Sequence, residues 1–232
     1  MTILAFDTSM AACSAAILRD AASPPIQRFE RMDRGHAEAL FPMIEAVMRD
    51  GACGFGDLSK IAVTVGPGSF TGVRAGVAAA RGFALAAGLP VVAATSLEVM
   101  ARGLVRQSSV AERGAGFVIV HDARRDEFYL QCFTADGTPL TEPALCTLSE
   151  AADALRPGNG LVAGSGAEAL ASEAARRGYQ LHARFADLLP EARDLAAIAV
   201  TKSPQHRPVA PLYLRAPDAK PQADKSLARA GQ

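Results

Sequence analysis

The sequence predicts an α/β protein with two lobes, of which the second is a reduced copy of the first. Short apolar runs typical of buried strands alternate with longer segments whose apolar residues follow helical spacing. The order of these elements in residues 1–105 recurs in shortened form in residues 115–217, and the polar stretch 106–114 suits a linker. A chain of 232 residues is long enough for two such units.

The first lobe is predicted to begin with three strands, at residues 2–6, 12–18 and 26–32, whose short connections suit an antiparallel meander. Helical spacing follows in residues 36–48, where Pro42 predicts a kink. The prediction continues with a strand at 61–65, a helix at 72–87, a strand at 91–94 and a helix at 97–105 capped by Ser96.

This β-β-β-α-β-α-β order is that of a ribonuclease-H-like lobe, the unit that is duplicated in two-lobed actin-like (ASKHA) proteins. Residues 218–232 lack periodicity and are predicted to form a disordered tail. For the second lobe we expect strands at 117–121, 128–133 and 161–163 and helices at 150–155, 167–177 and 191–200.

The composition excludes or weakens several functional classes. Lys plus Arg equal Asp plus Glu at 24 each, so the basic excess of a protein that holds nucleic acid by bulk charge is missing. The longest apolar stretch, 83–94, is interrupted by Gly88 and Pro90 and is too short to span a membrane. Four scattered cysteines without a CxxC pair indicate reduced thiols, and we therefore expect a cytoplasmic protein.

The most informative motif is the glycine-rich segment GPGSFTGVRAG at residues 66–76, which joins a predicted strand to a predicted helix. Backbone N–H groups of Gly66, Gly68 and Ser69 at a helix start suit an anion, but no Walker lysine follows and the glycine spacing is not that of a Rossmann fingerprint. The alternative is packing, because Gly72, Gly76 and Ala79 share one helix face on which a neighbouring backbone can approach. The residues alone leave both alternatives open.

A second candidate site, Asp7-Thr8-Ser9, ends the first predicted strand. In an actin-like ATPase, a carboxylate followed by two hydroxyls at this position would hold phosphate and a hydrated metal ion. A turn capped by the two hydroxyls is the alternative.

The histidines do not suggest a catalytic metal site. A helix that binds a metal needs a second ligand one turn after His36, and position 40 is Leu40. Ser165 lies in a glycine-rich turn but lacks the G-x-S-x-G frame of a hydrolase nucleophile. Arg74 and Arg81, seven residues apart among small residues, suit either a solvated face or a partner surface.

Four stretches resemble the TsaB (YeaZ) family. They are GPGSFTGVRAGVAAARGFALAAGLPVVAATSLEVMA at 66–101, ILAFDTSMAACSAAIL at 3–18, HDARRDEFY at 121–129 and PLYLR at 211–215. The resemblance implies a two-lobed actin-like fold with a reduced second lobe. It also implies an inert relative of TsaD, the enzyme that transfers the threonylcarbamoyl group to adenosine beside the anticodon of tRNA. TsaD holds its metal with an HxxxH pair, of which this sequence keeps only His36.

The resemblance further implies partners. Family members pair with a TsaD-like transferase through the first two helices, recruit a TsaE-like ATPase and self-associate in isolation, so tRNA is met only through the complex. The isolated chain is expected to bind no cofactor, and ATP or ADP is left open for the complex. The residues expected at the partner interface are His36, Leu40, Met43, Val47, Gly72, Arg74, Ala75, Gly76, Ala78, Ala79 and Phe83.

The sequence supports three hypotheses of function. The first is a non-catalytic scaffold that activates a TsaD-like transferase. The second is a self-sufficient metallopeptidase or ATP phosphotransferase, which the missing second histidine and the missing lysine oppose. The third is a regulator that holds an adenine nucleotide weakly at Asp7, Thr8, Ser9, Gly66, Gly68 and Ser69.

Overall fold

Two five-stranded mixed sheets form the framework of the protein in the computed structural model, which describes residues 1–155 and 159–215. The predicted tail 218–232 lies outside the described residues. The first sheet consists of β1 Ile3–Asp7, β2 Ala12–Leu18, β3 Ile26–Arg31, β4 Lys60–Thr64 and β5 Val91–Ala94. The second consists of β6 Gly116–Asp122, β7 Glu127–Thr134, β8 Ala144–Thr147, β9 Asn159–Ala163 and β10 His182–Arg184. The helices are α1 His36–Asp50, α2 Phe70–Ala87, α3 Ser96–Gln107, α4 Val110–Arg113, α5 Leu148–Asp153, α6 Ala167–Arg176 and α7 Ala192–Thr201.

The two sheets have the same topology. The first has the strand order β3-β2-β1-β4-β5 and the second the order β8-β7-β6-β9-β10. In each, the second strand in sequence pairs antiparallel with the first and the third, the fourth pairs parallel with the first, and the fifth pairs parallel with the fourth. The predicted two-lobed α/β fold is therefore confirmed. The second lobe is reduced in its helices, since α5 and α6 have 6 and 10 residues where α1 and α2 have 15 and 18.

Two strands, β8 and β10, are not predicted by the sequence. Both are short edge strands of 4 and 3 residues without a buried residue, so no apolar run marks them. They complete the second sheet, which is why the sequence alone indicates fewer strands in the second lobe than the structure contains.

Each sheet is covered on both faces. On the first sheet, alternate residues such as Leu4 and Phe6 face α1 and α2, while Ile3 and Ala5 face α7. On the second sheet, Val118 and Val120 face α5 and α6. The other face of the second sheet packs against α3. The alternation follows from strand geometry, because successive side chains point to opposite faces.

The last helix of each lobe therefore packs against the sheet of the other lobe. Sequence order groups 97–105 with the first lobe and 191–200 with the second, but α3 packs against the second sheet and α7 against the first. The two helices also contact each other, and the Arg106 guanidinium of α3 donates to both carboxylate oxygens of Asp194 on α7, at 2.9 and 2.8 Å.

The start of α3 and the stretch after it differ from the prediction. Thr95, not Ser96, caps α3: its Oγ1 accepts from the Glu98 N–H at 3.0 Å, and Glu98 Oε2 accepts from the Thr95 N–H at 2.7 Å. The polar stretch 106–114 contains α4, and Arg113 within it is buried. The Arg113 guanidinium donates to the Val105 carbonyl at 3.2 Å, so this stretch is a packed connection and not an open linker.

A strap at residues 209–215 joins the two lobes on the outside. Val209 is buried in the core of the first lobe, and its carbonyl accepts from Arg81 Nε of α2 at 2.6 Å. The Leu212 N–H donates to the Val65 carbonyl at 2.7 Å. At the far end, Arg215 Nε donates to Glu127 of the second lobe at 3.0 Å. No helix among the described residues has the length and hydropathy that a membrane span requires.

Candidate functional site

Asp7 lies at the edge of the first sheet, where the parallel strands β1 and β4 end side by side. Because Phe6 pairs with Val63, the next residues, Asp7 and Thr64, are neighbours. Asp7 Oδ1 accepts from the Thr64 hydroxyl, from Ser9 Oγ at 2.6 Å and from the Ser9 N–H at 3.2 Å. The carboxylate is thus held in one orientation by Thr64 of the neighbouring strand and by Ser9 of the turn after β1.

The second oxygen of the same carboxylate is buried without a partner. Asp7 has no exposed surface, and Oδ2 has no hydrogen-bond partner among the described residues. Burial raises the pKa of Asp7 to about 6, while the hydrogen bonds from Ser9 and Thr64 act in the opposite direction. A buried carboxyl group with one unpaired oxygen therefore lies at the carboxyl ends of the parallel strands, where α/β sheets usually bind ligands.

The glycine-rich turn packs directly on the residues that follow Asp7. A Cβ atom on Gly68 would lie 2.0 Å from the Ser9 carbonyl oxygen, and one on Gly72 would lie 2.0 Å from the Thr8 carbonyl oxygen. The Ser69 N–H donates to the Ser9 carbonyl at 2.7 Å. The glycines therefore have the packing role that the sequence leaves open, with a strand turn as the neighbouring backbone.

The same contacts occupy donors that an anion would need. The Ser69 N–H is paired with the Ser9 carbonyl, and the Gly72 N–H is paired with Ser69 Oγ at 3.0 Å, which caps α2. This cap starts α2 at Phe70, two residues before the predicted start. Of the six residues predicted for phosphate contact, Gly68 and Ser69 pack on the Asp7-Thr8-Ser9 turn, and the Gly66 carbonyl accepts from the Ser96 N–H at 2.9 Å. Nucleotide binding by these residues stays a prediction.

Two residues of this polar cluster are missed by the sequence-based prediction. Ser96 Oγ donates to Ser9 Oγ at 2.8 Å, and Thr64 contacts Asp7 directly. Both residues are buried. A signal for Thr64 is present in the sequence, since it lies near the end of the apolar strand 61–65 just as Asp7 ends the first strand, and parallel strands end at one edge of a sheet. Ser96 carries no such signal, because a serine at a helix start is typical of a cap.

His36 is a buried residue of the helix start. Its Nε2 lies 2.8 Å from the Met10 carbonyl oxygen, and because a carbonyl only accepts, the ring donates there. His36 thus fixes the start of α1 to the turn after β1. Within residues 1–155 and 159–215, no group of three or more His, Cys, Asp or Glu side chains is arranged to hold a metal ion.

A second polar group lies at the corresponding edge of the second sheet. Ser165, between β9 and α6, has its Oγ 3.2 Å from Nδ1 of His121 on β6, and accepts from the Asp122 N–H at 3.0 Å. Burial lowers the pKa of His121 to about 4. The N–H of Gly166 donates to the Val120 carbonyl, so the donor that follows Ser165 is not available to polarise a substrate carbonyl.

An exposed apolar groove lies between α1 and α2, with a volume of about 360 Å³, and a pocket of about 520 Å³ adjoins it at Phe41 and Phe83. Phe83 lies between them, with ring centroids 5.5 Å from Phe41 and 5.1 Å from Phe55. Phe41 is 55% exposed and Phe55 is 41% exposed. We call these two depressions the α1–α2 groove. Its lining includes Ala37, Leu40, Phe41, Ala75, Ala78, Ala79, Gly82, Phe83, Pro42, Glu45, Arg49 and Phe55.

Burial divides the residues predicted at the partner interface into two sets. Arg74 and Ala78 are exposed, and Ala75 and Phe83 are half-buried. The other seven are buried in this chain, because they belong to the stripes with which α1 and α2 cover the first sheet or each other. They are His36, Leu40, Met43, Val47, Gly72, Gly76 and Ala79. Met43, which is expected at the partner interface, is thus buried, whereas Phe41, which is not among the expected residues, is exposed.

Comparisons with known proteins agree with one another. A family model described as TsaD, tRNA N6-adenosine threonylcarbamoyltransferase, matches residues 30–185. An uncharacterized protein of Mycobacterium tuberculosis is 34% identical over 96% of this chain and 95% of its own length. The TsaB protein of Escherichia coli is 36% identical over 56% of this chain and 53% of its own. The solved structure of YeaZ from Pseudomonas aeruginosa matches with a TM-score of 0.77 and 28% identity over 92% of this chain and 99% of its own.

Proposed function

The chain belongs to the TsaB family of TsaD-like proteins, and on that premise we propose that it is a non-catalytic subunit that activates a TsaD-like transferase. The reaction served is the formation of threonylcarbamoyladenosine in tRNA, next to the anticodon. A TsaE-like ATPase joins the complex, and this chain contacts the tRNA substrate through that complex. The setting of this reaction is the cytoplasm.

The observation that carries the proposal is the exposed α1–α2 groove. Aromatic side chains are depleted on ordinary surfaces and enriched at the centres of protein interfaces. Here Phe41 and Phe55 flank Phe83, whose ring also meets Phe6 of the core at 6.2 Å between centroids. Covering the exposed parts of Phe41 and Phe83 would contribute on the order of 1–3 kcal/mol.

The small residues on α2 give a partner helix room to approach. Ala75 and Ala78 line the groove, and Gly82 has no atom within 4 Å of the place where its Cβ would lie. Without the transferase, two copies of this chain would associate through their α1–α2 grooves. Self-association and transferase binding therefore exclude each other, because both use the same surface.

The polar cluster around Asp7 is assigned a structural role in this proposal. The donors of Ser69 and Gly72 are bound to protein oxygens, and the sequence supplies no lysine for phosphate there. We therefore propose that the isolated chain binds no adenine nucleotide and that any ATP or ADP is held in the complex. Titration calorimetry with ADP, on the chain alone and on the complex, tests this.

An arginine placed in the groove tests the proposal. Ala78→Arg adds a long cation to an exposed groove position, and Ala86→Arg adds the same side chain to an exposed position of α2 outside the groove. Sedimentation with the TsaD-like transferase of the same genome should show a complex for wild type and Ala86→Arg and none for Ala78→Arg. Circular dichroism should show all three folded, since both positions are exposed.

An arginine at Gly76 would not serve as the same test. A Cβ there would lie 2.7 Å from Thr8 Oγ1, so the substitution would disturb the fold itself. A complex that persists in Ala78→Arg would refute the proposed surface. Normal levels of threonylcarbamoyladenosine in tRNA from cells depleted of this chain would refute the proposed pathway.

A further inference from the structure

An exposed stack of two aromatic rings and one arginine lies where the strap passes the start of α2. The rings of Phe70 and Tyr213 are stacked with centroids 5.7 Å apart and planes 30° apart. The Arg74 guanidinium carbon lies 3.6 Å from the centroid of Phe70, and Arg74 Nε donates to Tyr213 Oη at 2.6 Å. Phe70 is 58% exposed and Tyr213 is 48% exposed.

This stack is fixed in place but not covered. Leu212 is hydrogen-bonded to Val65 and Arg215 to Glu127, so the chain on both sides of Tyr213 is tied down. Among the described residues, no carboxylate lies within ion-pair distance of Arg74, so its charge is not neutralised locally. A rigid, exposed pair of rings beside an unneutralised guanidinium combines the two features that hold unpaired nucleotides, which are a stacking surface and a cation.

A turn that carries further cations lies at the other end of the strap. Arg124, Arg125 and Asp126 of the β6–β7 connection have φ values of 66°, 61° and 60°, in the left-handed region that non-glycine residues rarely adopt. The Arg215 guanidinium donates to the carbonyls of Ala123 and Arg124 at 3.0 and 3.1 Å, which supports the turn.

The strap sets the distance between this turn and the stack. Tyr213 and Arg215 are two residues apart, so their Cα atoms are at most about 7 Å apart. Because the Arg215 guanidinium contacts the Arg124 carbonyl, Arg124 lies within a few residue lengths of the aromatic rings. The side chain of Arg124 is exposed.

We propose that Phe70, Arg74 and Tyr213 form a binding site for an unpaired nucleotide of RNA. The base would stack on the exposed ring surface, and the adjoining phosphates would meet Arg74 and Arg124. The shared chemistry is a nucleobase with its phosphate. We assign it to single-stranded RNA because a second cation, Arg124, lies at the far end of the strap, where it would meet the phosphate of an adjoining nucleotide. Arginine and aromatic side chains stack on any base, so the site has little sequence preference.

The site does not depend on the proposed scaffold role, because it needs neither the transferase nor the α1–α2 groove. It is compatible with the chain's zero net charge, since stacking and not bulk charge would supply most of the affinity. Two phosphate contacts on a single strand predict a slope of log K against log salt of about −1.4, which is shallow for an RNA-binding protein.

Fluorescence anisotropy on the full chain tests the proposal. The probe is a labelled single-stranded adenosine-rich RNA oligonucleotide, compared with the same strand in a duplex and with AMP as competitor. Because stacking of one base contributes about 5- to 140-fold in affinity, Phe70→Ala should weaken single-strand binding by a factor in this range. Leu85→Ala, at an 89% exposed position near the other end of α2, is the matched control and should bind like wild type.

A second variant separates stacking from hydrogen bonding. Tyr213→Phe keeps both rings and loses only the acceptor of Arg74, so it should bind within about twofold of wild type. Duplex RNA should bind at least tenfold more weakly than the single strand, because its bases are already stacked.

Several outcomes would overturn the proposal. They are an affinity that Phe70→Ala leaves unchanged, equal affinity for the duplex, and displacement of the RNA by AMP at the concentration of the oligonucleotide, which would indicate a mononucleotide site. A Phe70→Ala variant that binds RNA normally but fails to bind the transferase would assign the stack to a protein interface instead. Because Ala78→Arg should leave RNA binding intact, failure of the groove and failure of this site are distinguishable.

Discussion

The buried carboxylate of Asp7 predicts an unusual dependence of stability on pH. Its pKa is about 6 in the folded protein, against 3.8 for an unperturbed aspartate. The folded state therefore binds more protons than the unfolded state between these values, and stability falls as pH rises through this window. The contribution of Asp7 is fully present below about pH 3.8 and lost above about pH 6. A difference of about 2.2 pKa units corresponds to about 3 kcal/mol.

The variant Asp7→Asn isolates this effect. An amide does not titrate, so the free energy of unfolding of Asp7→Asn minus that of wild type should increase by about 2–3 kcal/mol between pH 4 and pH 7. The absolute difference also contains the hydrogen bonds of the new amide, which are independent of pH, so only the slope is diagnostic. Urea unfolding, followed by circular dichroism at half-unit steps of pH, measures it. The exposed Asp33→Asn is the control. Parallel pH profiles for Asp7→Asn and wild type would refute the burial argument.

Two further predictions concern the local structure. Gly72→Ala should destabilise the fold by about 1–3 kcal/mol or more, because the new Cβ would lie 2.0 Å from the Thr8 carbonyl oxygen. Gly82→Ala on the same helix meets nothing within 4 Å and should stabilise by up to about 1 kcal/mol; equal midpoints in urea for the two variants would contradict the packing role of Gly72. Thr95→Ala should cost about 1 kcal/mol by removing the cap of α3, measured by thermal unfolding, and Ser96→Ala should act on the Asp7 cluster without uncapping the helix.

The sequence is sufficient to predict the elements that bury a continuous apolar run. β1, β2, β4 and β5 and helices α1, α2, α3, α6 and α7 all lie within a few residues of their predicted positions. These segments are the ones whose periodicity is imposed by burial against a sheet. The strands β8 and β10 lack buried residues, and their pairing depends on neighbours that local periodicity does not encode.

The candidate site is predictable only in part. The residues of the Asp7 turn and of the glycine-rich turn can be identified, because strand ends and glycine-rich turns are local signals. Their mutual contact, 2.7 Å between the Ser69 nitrogen and the Ser9 carbonyl oxygen, cannot be predicted from local signals, because it joins segments about sixty residues apart. The prediction places Met43 and not Phe41 at the partner interface, although Met43 is buried and Phe41 is exposed. A helix with apolar residues on several sides does not indicate which of them pack against the core.

The exchange of last helices between the lobes makes each half depend on the other for burial. Each half has the same strand order and covers one face of its sheet with the final helix of the other half. If the chain were divided within residues 106–114, either half alone would expose the apolar sheet face that its missing helix covers. The two halves are therefore expected to fold only when both are present.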